Sequence, residues 1–223
     1  MVSHFTLNAL PELNSIEGSP ERISVNQLKS WTRCGKKYAY EYVHQLHWPV
    51  DKTNFQLGQD VHKLLDYHAH GFDCEAFLAY VPDNVQKAWN ALQSEPLLSA
   101  PILGSEWGFQ VPLTVQLTDP FEGTVARRIW LVGRIDRLSA VYSKQQPERI
   151  ETIQVIDWKT GTAIPKLPAS DWQTRVYLYA AYETRRDILR GTGMASDSYS
   201  PADFEFVYVE VKAETRQVTV PYS

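Results

Sequence analysis

Cysteine is nearly absent: Cys34 and Cys74 are the two thiols in 223 residues. They are too few for a disulfide framework, a four-thiolate zinc site or an iron–sulfur cluster, so both read as small buried apolar groups. Long apolar runs are missing as well. None approaches the roughly 18 to 20 residues that a membrane span needs, so no membrane association is expected. Residues 1–19 mix His4, Glu12 and Glu17 with prolines, without a basic start followed by an apolar core. They do not read as a signal peptide, and a cytoplasmic location is expected. Nor is there a surplus of positive charge, since 22 Lys and Arg stand against 26 Asp and Glu, a net of −4. Nucleic-acid binders ordinarily carry a basic surplus. A sum conceals local patches, however, and a carboxylate site that takes cations is less negative in use. Internal repeats and low-complexity tracts are also lacking.

What is present is ordinary globular composition, 43% hydrophobic and 22% charged, with length enough for one large domain. Residues 1–22, with Pro11, Gly18 and Pro20, read as a loosely ordered lead-in, and 23–223 as a single domain. Ser24 is placed to cap a helix over 25–43, whose apolar side carries Leu28, Trp31, Tyr38, Ala39 and Tyr42. The other side carries Lys29, Arg33, Lys36 and Lys37, either a solvated face or one that contacts phosphates. Beyond Trp48-Pro49, a second helix is expected over 54–69, with His62 at the flank of its apolar face and Gly58 one turn earlier. A third is expected over 74–93, with a break at Pro82.

The pattern then changes to alternation. Strands are predicted over 102–117, containing Glu106, over 126–142, containing Gly133-Arg134-Ile135-Asp136, and over 150–158. A helix follows over 170–190, capped by Ser170 or Asp171, with Gln173 and Tyr177 four apart on one face. Two more strands are predicted, over 204–211 and 217–220. Helices, strands, helix and strands in that order imply an α/β domain with a mixed sheet.

The chemically informative stretch is Val155-Ile156-Asp157-Trp158-Lys159-Thr160-Gly161. In an extended strand, residues two apart share a face, so Asp157 and Lys159 project together while Trp158 points away. Phosphodiester cleavage needs neutralisation of the phosphate, a deprotonated water and stabilisation of the leaving oxygen, which a carboxylate-held divalent cation supplies. If the strands bearing Asp136 and Asp157 are neighbours, their carboxylates converge, and Lys159 can position or deprotonate the attacking water. The plainer alternative is a solvated acid at Asp136 between Arg134 and Arg137, and a surface ion pair at Asp157 and Lys159.

Taken together, the motifs resemble those of the RecB-type branch of the PD-(D/E)XK nuclease superfamily. The opening helix with its cysteine and basic-aromatic tail, Gly58 to His62 as Gly-x-x-x-His, Gly133 to Asp136 as Gly-x-x-Asp, Asp157 to Gly161 as Asp-x-Lys-x-Gly, and Gln173 with Tyr177 as Gln-x-x-x-Tyr occur in the family's order. The resemblance implies a restriction-endonuclease-like core, a mixed central sheet flanked by helices with an N-terminal helical portion. It implies Mg²⁺ or Mn²⁺ held by His62, Asp136, Asp157 and the backbone carbonyl of Trp158, with Lys159 catalytic and Gln173 and Tyr177 orienting the lysine or the DNA backbone. Glu106 corresponds to an acid on the first strand or is an ordinary solvated residue. Relatives that carry an iron–sulfur cluster use C-terminal cysteines that are missing here, so no cluster is expected.

The expected activity is a metal-dependent DNA nuclease acting on single strands or duplex ends. The alternative is a catalytically weak nucleic-acid-binding or accessory module with the same fold. A helicase-type phosphate loop is absent, so any unwinding would come from a helicase or other repair or CRISPR partner.

Overall fold

The structure, a computed structural model, describes residues 21–46, 53–119, 123–161, 163–211 and 215–222. Nearly all of the lead-in and the Trp48-Pro49 boundary lie outside the described residues. The chain divides into two compact units, Met1–Trp48 with Phe109–Gly133, and Pro49–Gly108 with Arg134–Ser223.

In the first unit a short strand, β1 (Arg22–Ser24), leads directly into helix α1 (Val25–Arg33). Ser24 caps the helix reciprocally: its hydroxyl accepts from the Gln27 N–H, and the Gln27 side chain accepts from the Ser24 N–H. The continuous helix predicted to residue 43 is broken. Cys34 is extended, at φ −165° and ψ 105°, and the chain restarts as α2 (Gly35–Tyr38) and a π-helical turn (Ala39–Val43). Cysteine followed by glycine has little intrinsic helix preference to carry the axis across. Cys34 is accordingly exposed rather than buried, whereas Cys74 is buried as expected. Arg33, Lys36 and Lys37 are exposed and Lys29 is half-buried, so the basic stripe is split between two short helices.

β1 pairs in parallel with the segment Trp130–Val132 of a long strand, a pairing that three residues of sequence could not announce. Gly133 follows that segment. A Cβ built there would lie 2.6 Å from the ring of Phe109, so glycine is what allows the buried ring to cross the strand.

The second unit holds α3 (Thr53–Ala69), α4 (Glu75–Leu78) and α5 (Asp83–Leu92), the last two separated around Pro82 as anticipated. Strands β2 (Ile102–Asp119) and β3 (Gly123–Tyr142) pair with each other, and each runs from one unit into the other. Within the second unit β3 pairs antiparallel with β4 (Ile150–Lys159), in register from Arg137↔Ile156 to Tyr142↔Ile150. The predicted helix over 170–190 is shorter and divides at Thr184 into α6 (Trp172–Glu183) and α7 (Arg185–Ile188). β4 lies parallel to β5 (Phe204–Glu210), which lies antiparallel to β6 (Arg216–Pro221). The sheet is thus mixed and flanked by helices.

Strand alternation assigns the faces of this sheet. Ile156, Trp158, Val207 and Val209 join Val61, Leu64 and Leu65 of α3 and Val85, Trp89 and Leu92 of α5 in one core. Asp157, Lys159, Phe206 and Tyr208 face the other way, where Thr174 of α6 hydrogen-bonds the Tyr208 hydroxyl at 2.8 Å and Tyr177 lies against Phe206. Arg137, named in the sequence only as a flank of Asp136, is buried. It is 2% exposed and donates to the carbonyls of Leu98 at 3.1 Å and Ala100 at 2.7 Å and to the Ser139 hydroxyl. Burial pushes its guanidinium down to about 10. Asp136 lies inside β3.

Candidate functional site

The ladder between β3 and β4 begins at Arg137 and Ile156, and just beyond it the main chain of Trp158 turns to side chains for its partners. Its N–H donates to Asp136 Oδ2 at 3.0 Å. Its carbonyl oxygen lies 3.0 Å from His62 Nε2 on α3 and accepts that nitrogen's proton. The indole itself is 2% exposed, packed in the core. Trp158 therefore faces away from the site with its side chain and into it with its backbone.

With the neutral ring's proton held on Nε2, the lone pair of His62 is on Nδ1. That nitrogen lies 3.6 Å from Asp136 Oδ1 and 3.8 Å from Glu106 Oε1. His62, Glu106 and Asp136 thus offer three ligand atoms, all within 4.8 Å of one another. Glu106 reaches this point through an unusual backbone. Its φ of 46° is in the left-handed region that a non-glycine residue rarely adopts, and it turns the carboxylate out of simple strand alternation. Gly58, one turn before His62, keeps α3 slim where a Cβ would stand 3.1 Å from the Thr160 hydroxyl, so the helix and the turn after β4 approach closely.

Electrostatics report the crowding. Burial pushes Asp136 upward, and the charge of Asp157 adds to it, to about 7. Burial alone would lower His62, but its hydrogen bond to Glu106 and the charge of Asp136 outweigh that and raise it to about 9. Burial, then Asp136 and Asp157, also push the Tyr177 hydroxyl up, while its hydrogen bond with Gln173 opposes the shift. Two carboxylate oxygens and an imidazole nitrogen form a donor set that Mg²⁺ or Mn²⁺ accepts, and a cation would offset both the burial of Asp136 and its repulsion by Asp157.

Asp157 is not one of the three converging ligands; it lies beside them in a second constellation. Lys159 Nζ is 2.7 Å from Asp157 Oδ2 and donates to Gln173 Oε1 at 2.9 Å. The Gln173 amide donates to Asp157 Oδ1, so the glutamine bridges the acid and the amine. Asp171 caps α6 by accepting from the Gln173 N–H at 2.8 Å, which fixes where this glutamine starts the helix. Lys159 also lies 5.6 Å from the centre of the Tyr208 ring. The basic residues Lys29, Arg33, Lys36 and Lys37 belong to the first unit.

Two neighbours escaped the sequence reading in this role. Arg134 appeared there only as a flank of Asp136, yet its Nε lies 2.6 Å from Glu106 Oε2. Tyr208 appeared only as a strand residue. The position of Arg134 two residues before Asp136 was the available signal for the first; no local signal marks the second.

An α/β sheet with a histidine and acids converging on one another, beside an acid–lysine pair, defines a class of metal-dependent hydrolase sites. The PD-(D/E)XK nuclease superfamily profile matches residues 22–219, and the chain belongs to that superfamily. Its members are nucleases that use divalent metals, and nucleic acid is the substrate this implies. No curated protein matches the chain. Among the described residues, no helix is long and apolar enough to cross a membrane.

Proposed function

We propose that this protein is a cytoplasmic Mg²⁺- or Mn²⁺-dependent deoxyribonuclease of the RecB-type branch. It acts on single strands or duplex ends, as an exonuclease rather than an endonuclease, with residues 23–223 as one nuclease domain. The observation that carries this reading is the convergence of His62, Glu106 and Asp136 beside the bridged Asp157, Lys159 and Gln173. The pairing of Gln173 with Tyr177 supports the branch.

A bound divalent cation would supply neutralisation of the phosphate and a more acidic water. His62, Glu106 and Asp136 would hold it, with Asp157 and the Trp158 carbonyl as further donors. Lys159, held as an ammonium beside Asp157, donates a hydrogen bond to the oxygen of the attacking water and so positions it. Gln173 keeps the ammonium from swinging away, Asp157 balances its charge, and Tyr177 restrains Gln173. Lys29, Arg33, Lys36 and Lys37 bind backbone phosphates. A helicase or other repair or CRISPR partner would provide unwinding where duplex is the starting material.

The test is digestion of 5′-labelled, 3′-labelled and circular DNA, single- and double-stranded, by purified protein in Mg²⁺, Mn²⁺ and EDTA. Metal-dependent loss of linear substrates, abolished in Asp157→Ala and Lys159→Ala, is expected. Degradation that survives both substitutions refutes the assignment. Binding without cleavage in Mn²⁺ supports the accessory-module reading instead, for which the net charge of −4 offers the motive.

A further inference from the structure

Glu106 divides its carboxylate between two neighbours. Oε1 faces His62 Nδ1 at 3.8 Å, and Oε2 lies 2.6 Å from Arg134 Nε. An exposed ion pair of this kind usually contributes little to stability, and the Arg134 side chain is 69% exposed. Its placement argues for another use. Arg134 precedes Asp136 by two residues on β3, the spacing at which strand residues share a face, and its charge is felt by Tyr177 across the site. The contact with Glu106 occupies Nε, and no other hydrogen bond or ion pair engages the guanidinium among the described residues. The Nη1 and Nη2 edge therefore remains a two-pronged donor fork beside the site, tethered through Nε to Glu106, and such a fork recognises a phosphate bidentately.

The site also needs a cation there. Glu106, Asp136 and Asp157 repel a polyanion, while Lys159 is already engaged by Asp157 and Gln173. We propose that Arg134 is a catalytic residue of this site, donating its outer fork to the non-bridging oxygens of the phosphodiester under attack, with Glu106 fixing its inner nitrogen. This rests on the nuclease reading and adds the group that grips the reacting phosphate.

The experiment compares wild type, Arg134→Lys and Arg134→Gln on one labelled oligonucleotide. Cleavage is measured in Mn²⁺, and binding is measured by anisotropy in Ca²⁺ across a salt series. Loss of a donor aimed at a developing charge predicts about a 100-fold fall in kcat/KM for R134Q, with only partial recovery in R134K. It also predicts a salt dependence of binding that is shallower by about one phosphate contact in R134Q. Unchanged thermal unfolding would separate this from a structural role. If wild type cleaves and R134Q cleaves and binds as well as wild type, the proposal is overturned and the nuclease reading stands. If wild type neither binds nor cleaves nucleic acid, both fall.

Discussion

Replacing Gly133 with alanine places a methyl group 2.6 Å from Phe109 Cζ and 2.9 Å from Cε1. Both distances are inside van der Waals contact, and the ring is 6% exposed, so it cannot swing into solvent without uncovering its own core. Overpacking of this kind costs about 1–3 kcal/mol. The loss of glycine's freedom in the unfolded chain returns about 0.4–1 kcal/mol. A net destabilisation of about 1–2 kcal/mol follows, or a urea midpoint lowered by roughly half to one molar at unchanged slope. The sharper measurement is the cycle with Phe109→Leu. Leucine lacks Cζ and both Cε atoms, so the alanine methyl enters vacated space, and the double variant should recover about 1 kcal/mol relative to the sum of the singles. Strict additivity would refute the argument, because it would mean that glycine is there for some reason other than the ring.

Three further outcomes are expected. In the metal-free protein the folded state holds protons on Asp136 and His62 more tightly than the unfolded chain does, with values raised to about 7 and about 9. Their stabilising contributions are therefore present at low pH and lost as pH rises through those values. Because a cation must displace the same protons, the Mn²⁺-induced thermal shift should grow between pH 6 and pH 9, and a pH-independent shift would contradict the ligand set. Gln173→Ala unties Lys159 from Asp157 and should lower cleavage about 10- to 100-fold, on the scale of other groups that orient catalytic ligands, with the unfolding midpoint nearly unchanged. Converting Lys36 and Lys37 to glutamine should weaken oligonucleotide binding uniformly across sequences and flatten its salt dependence by about one contact per residue, and an unaltered slope would remove those lysines from the interface.

The parts of the site legible in the sequence are those governed by short-range periodicity. Alternation along β4 was enough to put Asp157 and Lys159 on one face and Trp158 in the core, because a strand's geometry leaves no other choice. The place of Glu106 was open between a site acid and a solvated residue, and its left-handed backbone and its partners, far away in sequence, are what bring it to the site. The break at Cys34 was hidden because apolar residues on both sides continued a helical rhythm across a non-helical residue. The burial of Arg137 had no sign in the sequence, because its guanidinium is matched by carbonyls some 37 and 39 residues away in the chain. Pairings that depend on such separations have no local signature.

The main chain of Trp158 carries both of this residue's contacts with the site, through its N–H to Asp136 and its carbonyl to His62, while the indole answers only to the volume of the core. The indole therefore bears on the site only through where it seats this stretch of main chain. The residue between the acid and the lysine is free to vary among large apolar types without altering what the reaction sees, provided it fills the same space. A change of size there, in contrast, would be felt at two site residues on two different elements at once, although no atom of the altered side chain touches either.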